Sequence, residues 1–155
     1  MLDAIDRKIL DQLQRDATLS VADLADRVGL TTTPCWRRLQ KLEAEGIIKG
    51  RVALLDANKL NIGTTVFVAV RTAQHNAHWL EAFSKAVQTL PEIVEVHRLS
   101  GETDYLLKVQ VPDIAAYDRV YKRLIAQVDL FDVSSSFSME TLKATTVLPL
   151  SYAAG

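Results

Sequence analysis

The 155 residues carry a formal net charge of −1, with 48% apolar and 24% charged residues. This is the composition of a soluble globular chain rather than a disordered, fibrous or membrane-spanning one. The start, MLDAIDRKIL, lacks the basic region and unbroken apolar core of a signal peptide, and one cysteine, Cys35, offers no internal disulfide. A cytoplasmic protein of one or two small domains is expected.

The first segment, residues 2–15, places Leu2, Ile5, Ile9, Leu10 and Leu13 at helical spacing, with charges on the other face. Ser20 then precedes VADLADRV with Asp23 three residues on. This is an N-cap signature with an acidic first turn, and Gly29 supplies a natural stop. After a short connection, Thr33 as N-cap and Pro34 at the first helical position predict a third helix that stops at Gly46. Three helices, the last two joined through a glycine, form the pattern of a helix-turn-helix.

The charge is unevenly spread. Between Leu30 and Arg51 stand Arg37, Arg38, Lys41, Lys49 and Arg51 against only Glu43 and Glu45, so this short element is basic and the rest acidic. With Leu39, Leu42 and Cys35 turned inward, the third helix shows Trp36, Arg37, Gln40 and Lys41 outward. Arginine can fork onto guanine and glutamine can pair with adenine. Ser20, Thr31, Thr32 and Thr33 suit phosphate oxygens, and Lys49 and Arg51 suit the flanking backbone. A solvated helix of a small bundle is the plainer alternative, and Trp36 fits either an exposed reading residue or a core residue beneath the first helix.

Residues 47–56 read as a strand or small hairpin, and Asp56 to Asn61 as a linker. From Gly63 the periodicity changes. TTVFVAVRT reads as a strand, AHWLEAFSKAVQTL as a helix, IVEVHRL and DYLLKVQV as strands around the turn Ser-Gly-Glu-Thr. IAAYDRVYKRLIAQV follows as a helix and LFDVSSSFSMETLK as a last strand. The order β-α-β-β-α-β is ferredoxin-like, with helices on one sheet face and the other free to pair with a second subunit. The expected division is 1–51 helix-turn-helix, 52–61 linking strand and linker, and 62–155 a sensing and oligomerising α+β domain.

The turn Gly101-Glu102-Thr103-Asp104-Tyr105 offers carboxylates for an ammonium group, and N–H and hydroxyl groups for a carboxylate. By its chemistry alone it reads first as an ordinary polar turn. The rival functions fare less well. Cys35 falls in the helical part while His75, His78 and His97 fall in the second part, so no thiol–base pair is indicated and catalysis is not expected. His75 and His78, three apart, lack a third metal ligand nearby. RNA binding by the sheet would need aromatic residues on the central strands, where IVEVHRL has none.

Several stretches together resemble the Lrp/AsnC family of "feast/famine" regulators: LDAIDRKILDQLQRDATLS, LADRVGLTTTPCWRRLQKLEAEGII, VALLD, SGETDYLLKVQVPD and SSFSMETLK. The resemblance spans essentially the whole chain. It implies a winged helix-turn-helix, a linking strand and an effector domain whose sheets pair into dimers, often assembled into octamers. It further implies double-stranded DNA as partner, no cofactor, and a small amino acid as effector at the junction between dimers. The effector turn would be Gly101, Glu102, Thr103, Asp104 and Tyr105, with Ser134, Ser135 and Ser136 bordering it. Many members have aspartate where this chain has Glu102, one methylene longer. The TTTPCWRRL and VALLD wording is similar to a subgroup linked to cysteine detoxification, which makes cysteine the first effector to consider, with leucine or another small amino acid as alternatives. A ligand-independent architectural DNA-binding protein would look similar in sequence.

Overall fold

The computed structural model describes residues 2–153, in two compact units: residues 2–54 together with 143–153, and residues 55–142. Helix α1 (Ala4–Leu13) begins with Asp3 as N-cap, whose carboxylate accepts from Ile5 and Asp6 while Asp6 accepts in return from the Asp3 backbone. Helix α2 (Val21–Val28) starts at Ser20 and closes on Gly29 in the left-handed conformation (φ 76°), as expected from the sequence. Helix α3 (Thr32–Ala44) follows after Leu30 and Thr31.

The start of α3 departs from expectation. Thr31, not Thr33, is the N-cap, and Pro34 is the third helical residue. The first four N–H groups of a helix have no intrahelical partner, so proline at the third position loses no bond and the helix gains two residues. Ile9, Leu10, Leu24, Ala25, Val28, Cys35 and Leu42 form one core, with Ile48 and Leu150 packed against it.

Residues 47–56 contain no strand, contrary to the sequence reading. A strand needs a ladder partner, and none of the described residues supplies one; Val52, Leu54 and Leu55 stand 80%, 74% and 75% exposed. The linker at 56–61 is a tight turn, in which Asp56 accepts from the N–H groups of Asn58 and Lys59. The chain from Lys143 onward returns to the helical unit: the Gln14 amide donates to and accepts from the Leu148 backbone at 3.1 and 2.8 Å.

The second unit is an α+β sandwich of two layers. Strand β1 (Thr64–Arg71), helix α4 (Ala77–Gln88), strands β2 (Ile93–Arg98) and β3 (Tyr105–Val111), helix α5 (Ile114–Ile125) and strand β4 (Asp132–Phe137) follow in order. The antiparallel sheet has the order β2-β3-β1-β4, which is the ferredoxin-like topology. Val66, Val68 and Val70 pair with Val109, Leu107 and Tyr105, and this face packs under Trp79, Phe83, Tyr117, Val120 and Leu124 of the helices. Alternation puts Phe67, Ala69, Leu106 and Lys108 on the opposite face, which no helix among the described residues covers.

The last strand is shorter than expected, ending at Phe137 rather than running to Lys143. Ser134, Ser135 and Ser136 lie within β4 and alternate in direction, so they do not act as one group. Ser135 shares the helix-covered face, where its hydroxyl is hydrogen-bonded to the Tyr117 phenol; Ser134 and Ser136 oppose Ala69 and Phe67 on the open face.

Candidate nucleic-acid interface and effector site

In the helical unit, helical phase decides what α3 offers. Cys35, Leu39 and Leu42 point into the core, which leaves Trp36, Arg37, Gln40 and Lys41 exposed. Trp36 is 50% exposed, so its indole is not a core residue. Thr31 makes no side-chain cap, and Thr31, Thr32 and Thr33 are all exposed around the free N–H groups of the first turn. Ser20, Trp36, Gln40, Glu43 and Arg51 line one cleft of about 360 Å³ between α2, α3 and the chain beyond it. Arg37, Lys41, Lys49 and the three threonines lie outside that cleft on the exposed surface.

The basic residues are not equally available. Arg37 and Lys49 make no ion pair or hydrogen bond among the described residues, whereas Arg51 donates to Glu43 at 2.8 Å and Lys41 stands 3.8 Å from Glu45. Gln40 also donates to Glu43, at 3.2 Å. Arg38 is withdrawn altogether: it donates to Asp3 at 2.6 Å and to the buried Asp6 at 2.7 Å. The backbone N–H of Asp6, then the Arg38 guanidinium, hold the Asp3 carboxyl below its ordinary value, and the two carboxylates push Arg38 upward. Arg38 was thus counted in a basic patch to which it contributes little, since its partners sit 35 and 32 residues away in sequence.

In the second unit, the turn from Ser100 to Asp104 closes through a Leu99 N–H to Asp104 carbonyl bond of 2.8 Å, with Gly101 at φ 124°. Glu102 is exposed and Thr103 half-buried. Asp104 has a structural duty: one carboxylate oxygen accepts from the Thr72 N–H at 2.8 Å, and its own N–H donates to Val70 at 3.0 Å. Tyr105 is buried, its ring 4.7 Å from Phe83 and 5.7 Å from Trp79. The turn therefore gathers Gly101 to Tyr105 at one end of the sheet, where β1 ends at Arg71 and Thr72 follows. It does not bring the three serines to one surface.

That same sheet end holds a cleft of about 190 Å³ lined by Thr72, Asn76, Leu80, Arg98 and Tyr105 among others. Neither Asn76 nor Arg98 stood out in the sequence. The register that sets Arg98 opposite Tyr105 is what brings them there, and a β-bulge between Ile93 and Glu95 hides it from simple alternation. Cys35 is fully buried, and desolvation raises its thiol above the ordinary value, away from the reactive thiolate. No cluster of three metal-ligating side chains occurs among the described residues, and no helix there is long and apolar enough to cross a membrane.

Comparison with known proteins agrees with this two-part organisation. Residues 2–49 match the family described as winged helix-turn-helix DNA-binding, and residues 65–148 the Lrp/AsnC ligand binding domain. The chain is 53% identical over 149 residues to the glutamate uptake regulatory protein of Zymomonas mobilis, covering 96% of this chain and 91% of that one. It is 52% identical to the DNA-binding transcriptional activator DecR of Escherichia coli, covering 97% and 99%. An AsnC family transcriptional regulator from Agrobacterium tumefaciens superposes with a TM-score of 0.95 at 59% identity, over 99% of this chain and all of that one. A Neisseria meningitidis transcriptional regulator in complex with L-Met superposes at 0.93 and 36% identity, with the same coverage. The curated relatives are regulators rather than enzymes, and this chain belongs to the Lrp/AsnC family of DNA-binding transcriptional regulators.

Proposed function

We propose that α3 reads double-stranded DNA and that the sheet-end turn answers to a small amino acid. The observation that carries the DNA reading is the exposed N-terminal half of α3: an uncapped helix start, three free threonine hydroxyls, and Trp36, Arg37 and Gln40 facing outward. Arg37 and Gln40 are assigned to base edges; Ser20, Thr31, Thr32, Thr33, Lys41, Lys49 and Arg51 to the phosphate backbone; and Trp36 to the rim of the groove.

Effector control is assigned to Gly101, Glu102, Thr103, Asp104 and Tyr105, with Ser134 and Ser136 on the neighbouring open face. The L-Met complex of the Neisseria relative supports an amino-acid effector. Cysteine is the first candidate, on the similarity to the cysteine-detoxification subgroup. The uncovered sheet face, with exposed Phe67 beside Ala69 and Leu106, supports a homodimer, and the family pattern supports assembly of dimers to an octamer in the cytoplasm. An effector shifts DNA affinity only if the two assembly states bind it differently.

The test is fluorescence anisotropy of the full chain against a duplex from its own upstream region and a random duplex, at two salt concentrations, with and without individual amino acids. Salt-sensitive, sequence-preferring binding that one amino acid shifts is the expected result. Specific binding that no amino acid alters would replace this reading with the architectural one. Equal binding of both duplexes would remove the base-reading role of α3.

A further inference from the structure

We infer that the cleft at the N-terminus of α4 is a carboxylate subsite, built from Arg98, Tyr105, Asn76 and the first turn of α4. The inference rests on the amino-acid effector reading and specifies which part of the effector binds where.

Four features converge. Tyr105 is 92% buried by its 8% exposure and packs against Trp79 and Phe83, yet its phenol has no hydrogen-bond partner among the described residues and lines the cleft. The ring is buried while its hydroxyl keeps access to the cleft, so the hydroxyl is free to donate to something that enters. Arg98 lies opposite Tyr105 in the β2–β3 ladder, lines the same cleft and forms no ion pair among the described residues. The twelve-residue α4 begins there, with its free N–H groups and the positive end of its dipole. Asn76 spends its amide oxygen on the Trp79 N–H, which leaves its NH₂ group to donate.

All four offer hydrogen-bond donors, and among the described residues no carboxylate side chain lines the cleft. His75 also lines it. Such a donor set suits a planar anion, which arginine can take in a forked pair. Leu80 supplies an apolar wall for a short side chain. A volume near 190 Å³ suits a small amino acid rather than a nucleotide or peptide.

The experiment is isothermal titration of the full chain with L-cysteine, L-methionine, L-leucine and L-glutamate, and with the decarboxylated or alcohol analogue of whichever binds. The variants are Arg98→Gln, Arg98→Lys and Tyr105→Phe; the last keeps the ring and its packing, and melting curves confirm that each is folded. Wild-type protein should bind one of the acids and not its carboxylate-free analogue. Arg98→Gln and Tyr105→Phe should each weaken that binding at least tenfold, with Arg98→Lys intermediate. Folded variants that bind the amino acid as tightly as wild type, or an analogue that binds equally well, would overturn the subsite while leaving the effector reading standing. Wild-type protein that binds none of the four, and whose DNA affinity none of them shifts, would overturn both.

Discussion

Arg51 and Gln40 donate to separate oxygens of the same carboxylate, Glu43, at 2.8 and 3.2 Å. One acidic side chain on the exposed flank of α3 therefore restrains two residues assigned to DNA. Arg51 is exposed and Glu43 half-buried, so the pair's own contribution to folding is small. Replacing Glu43 with glutamine should change folding stability by no more than ~0.5 kcal/mol. DNA affinity should rise, because a negative charge leaves the interface and Arg51 is freed. The slope of log affinity against log salt should steepen by about 0.9 if Arg51 then neutralises one phosphate. Anisotropy at four or more salt concentrations reads both quantities, and an unchanged slope would show that Arg51 does not reach the backbone.

Arg37, by contrast, is restrained by nothing among the described residues and sits in the first turns of α3. Its replacement by alanine should cost roughly 1–3 kcal/mol on the specific duplex if it forks onto a guanine, and much less on random DNA. A loss of equal size on both duplexes would reassign it to phosphate.

Arg38 looks like its neighbour in sequence and behaves differently. It bridges the N-cap Asp3 and the buried Asp6, so removing it leaves a buried carboxylate with only the Asp3 N–H as partner. Arg38→Ala should destabilise the helical unit by ~1–3 kcal/mol, without the selective loss on specific DNA expected of Arg37. The pH dependence has a definite sign. The folded-state value of Asp3 is depressed below its ordinary 3.8, so its stabilising contribution is present above that value and is lost as pH falls below it. Wild-type melting temperature should therefore fall as pH drops below about 4, and Arg38→Ala should show a weaker fall because part of the depression is already gone. Thermal melts between pH 3 and 6 test this; parallel curves would separate Arg38 from Asp3.

What could be read in advance follows the range of the interactions. The caps of α2 were legible because Ser20, Asp23 and Gly29 act within one turn, and the sheet order followed from β-α-β-β-α-β alone. The inward Cys35 followed from placing Leu39 and Leu42 in the core, whereas Trp36 stayed open between exposed and core until the structure put it at the surface. The withdrawal of Arg38 was not legible because its partners lie at the start of another helix, and the strand at 47–56 was misread because the sequence pattern says nothing about whether a ladder partner is present. Ser134 to Ser136 were grouped as neighbours, although strand alternation sends Ser135 to Tyr117 and the others to the opposite face. The cleft at Arg98 was not legible at all, since it depends on register across a bulge.

Asp104 shows why the choice of substitution matters at the turn. Its carboxylate already holds the Thr72 N–H at 2.8 Å, so alanine removes a structural bond as well as any effector contact. Asp104→Ala should cost about 1–2 kcal/mol in the stability of the α+β unit. Asp104→Asn keeps the accepting oxygen and should remain near wild type in melting temperature while losing most of the amino-acid response. Ser135→Ala, whose hydroxyl is engaged with Tyr117, should leave the response intact. An unchanged response in Asp104→Asn would remove Asp104 from the effector site and leave it a purely structural residue.

The returning tail makes a last claim that sequence distance conceals. Gln14 pairs with the Leu148 backbone in both directions, much as a neighbouring strand would, and Leu150 packs against the helical core. The helix-turn-helix is thus completed by residues more than a hundred positions downstream. Two hydrogen bonds at about 1 kcal/mol each, plus partial burial of a leucine, put the tail's contribution at roughly 2–4 kcal/mol. Gln14→Ala should lower the melting temperature of the helical unit modestly, and truncation after Ala144 should lower it further, with the α+β unit's transition unmoved. Because the unit so weakened is the one carrying α3, DNA affinity should fall with truncation even though no assigned contact is removed. Melting curves and anisotropy that match wild type for the truncated chain would show that the tail rests on the helical unit without supporting it.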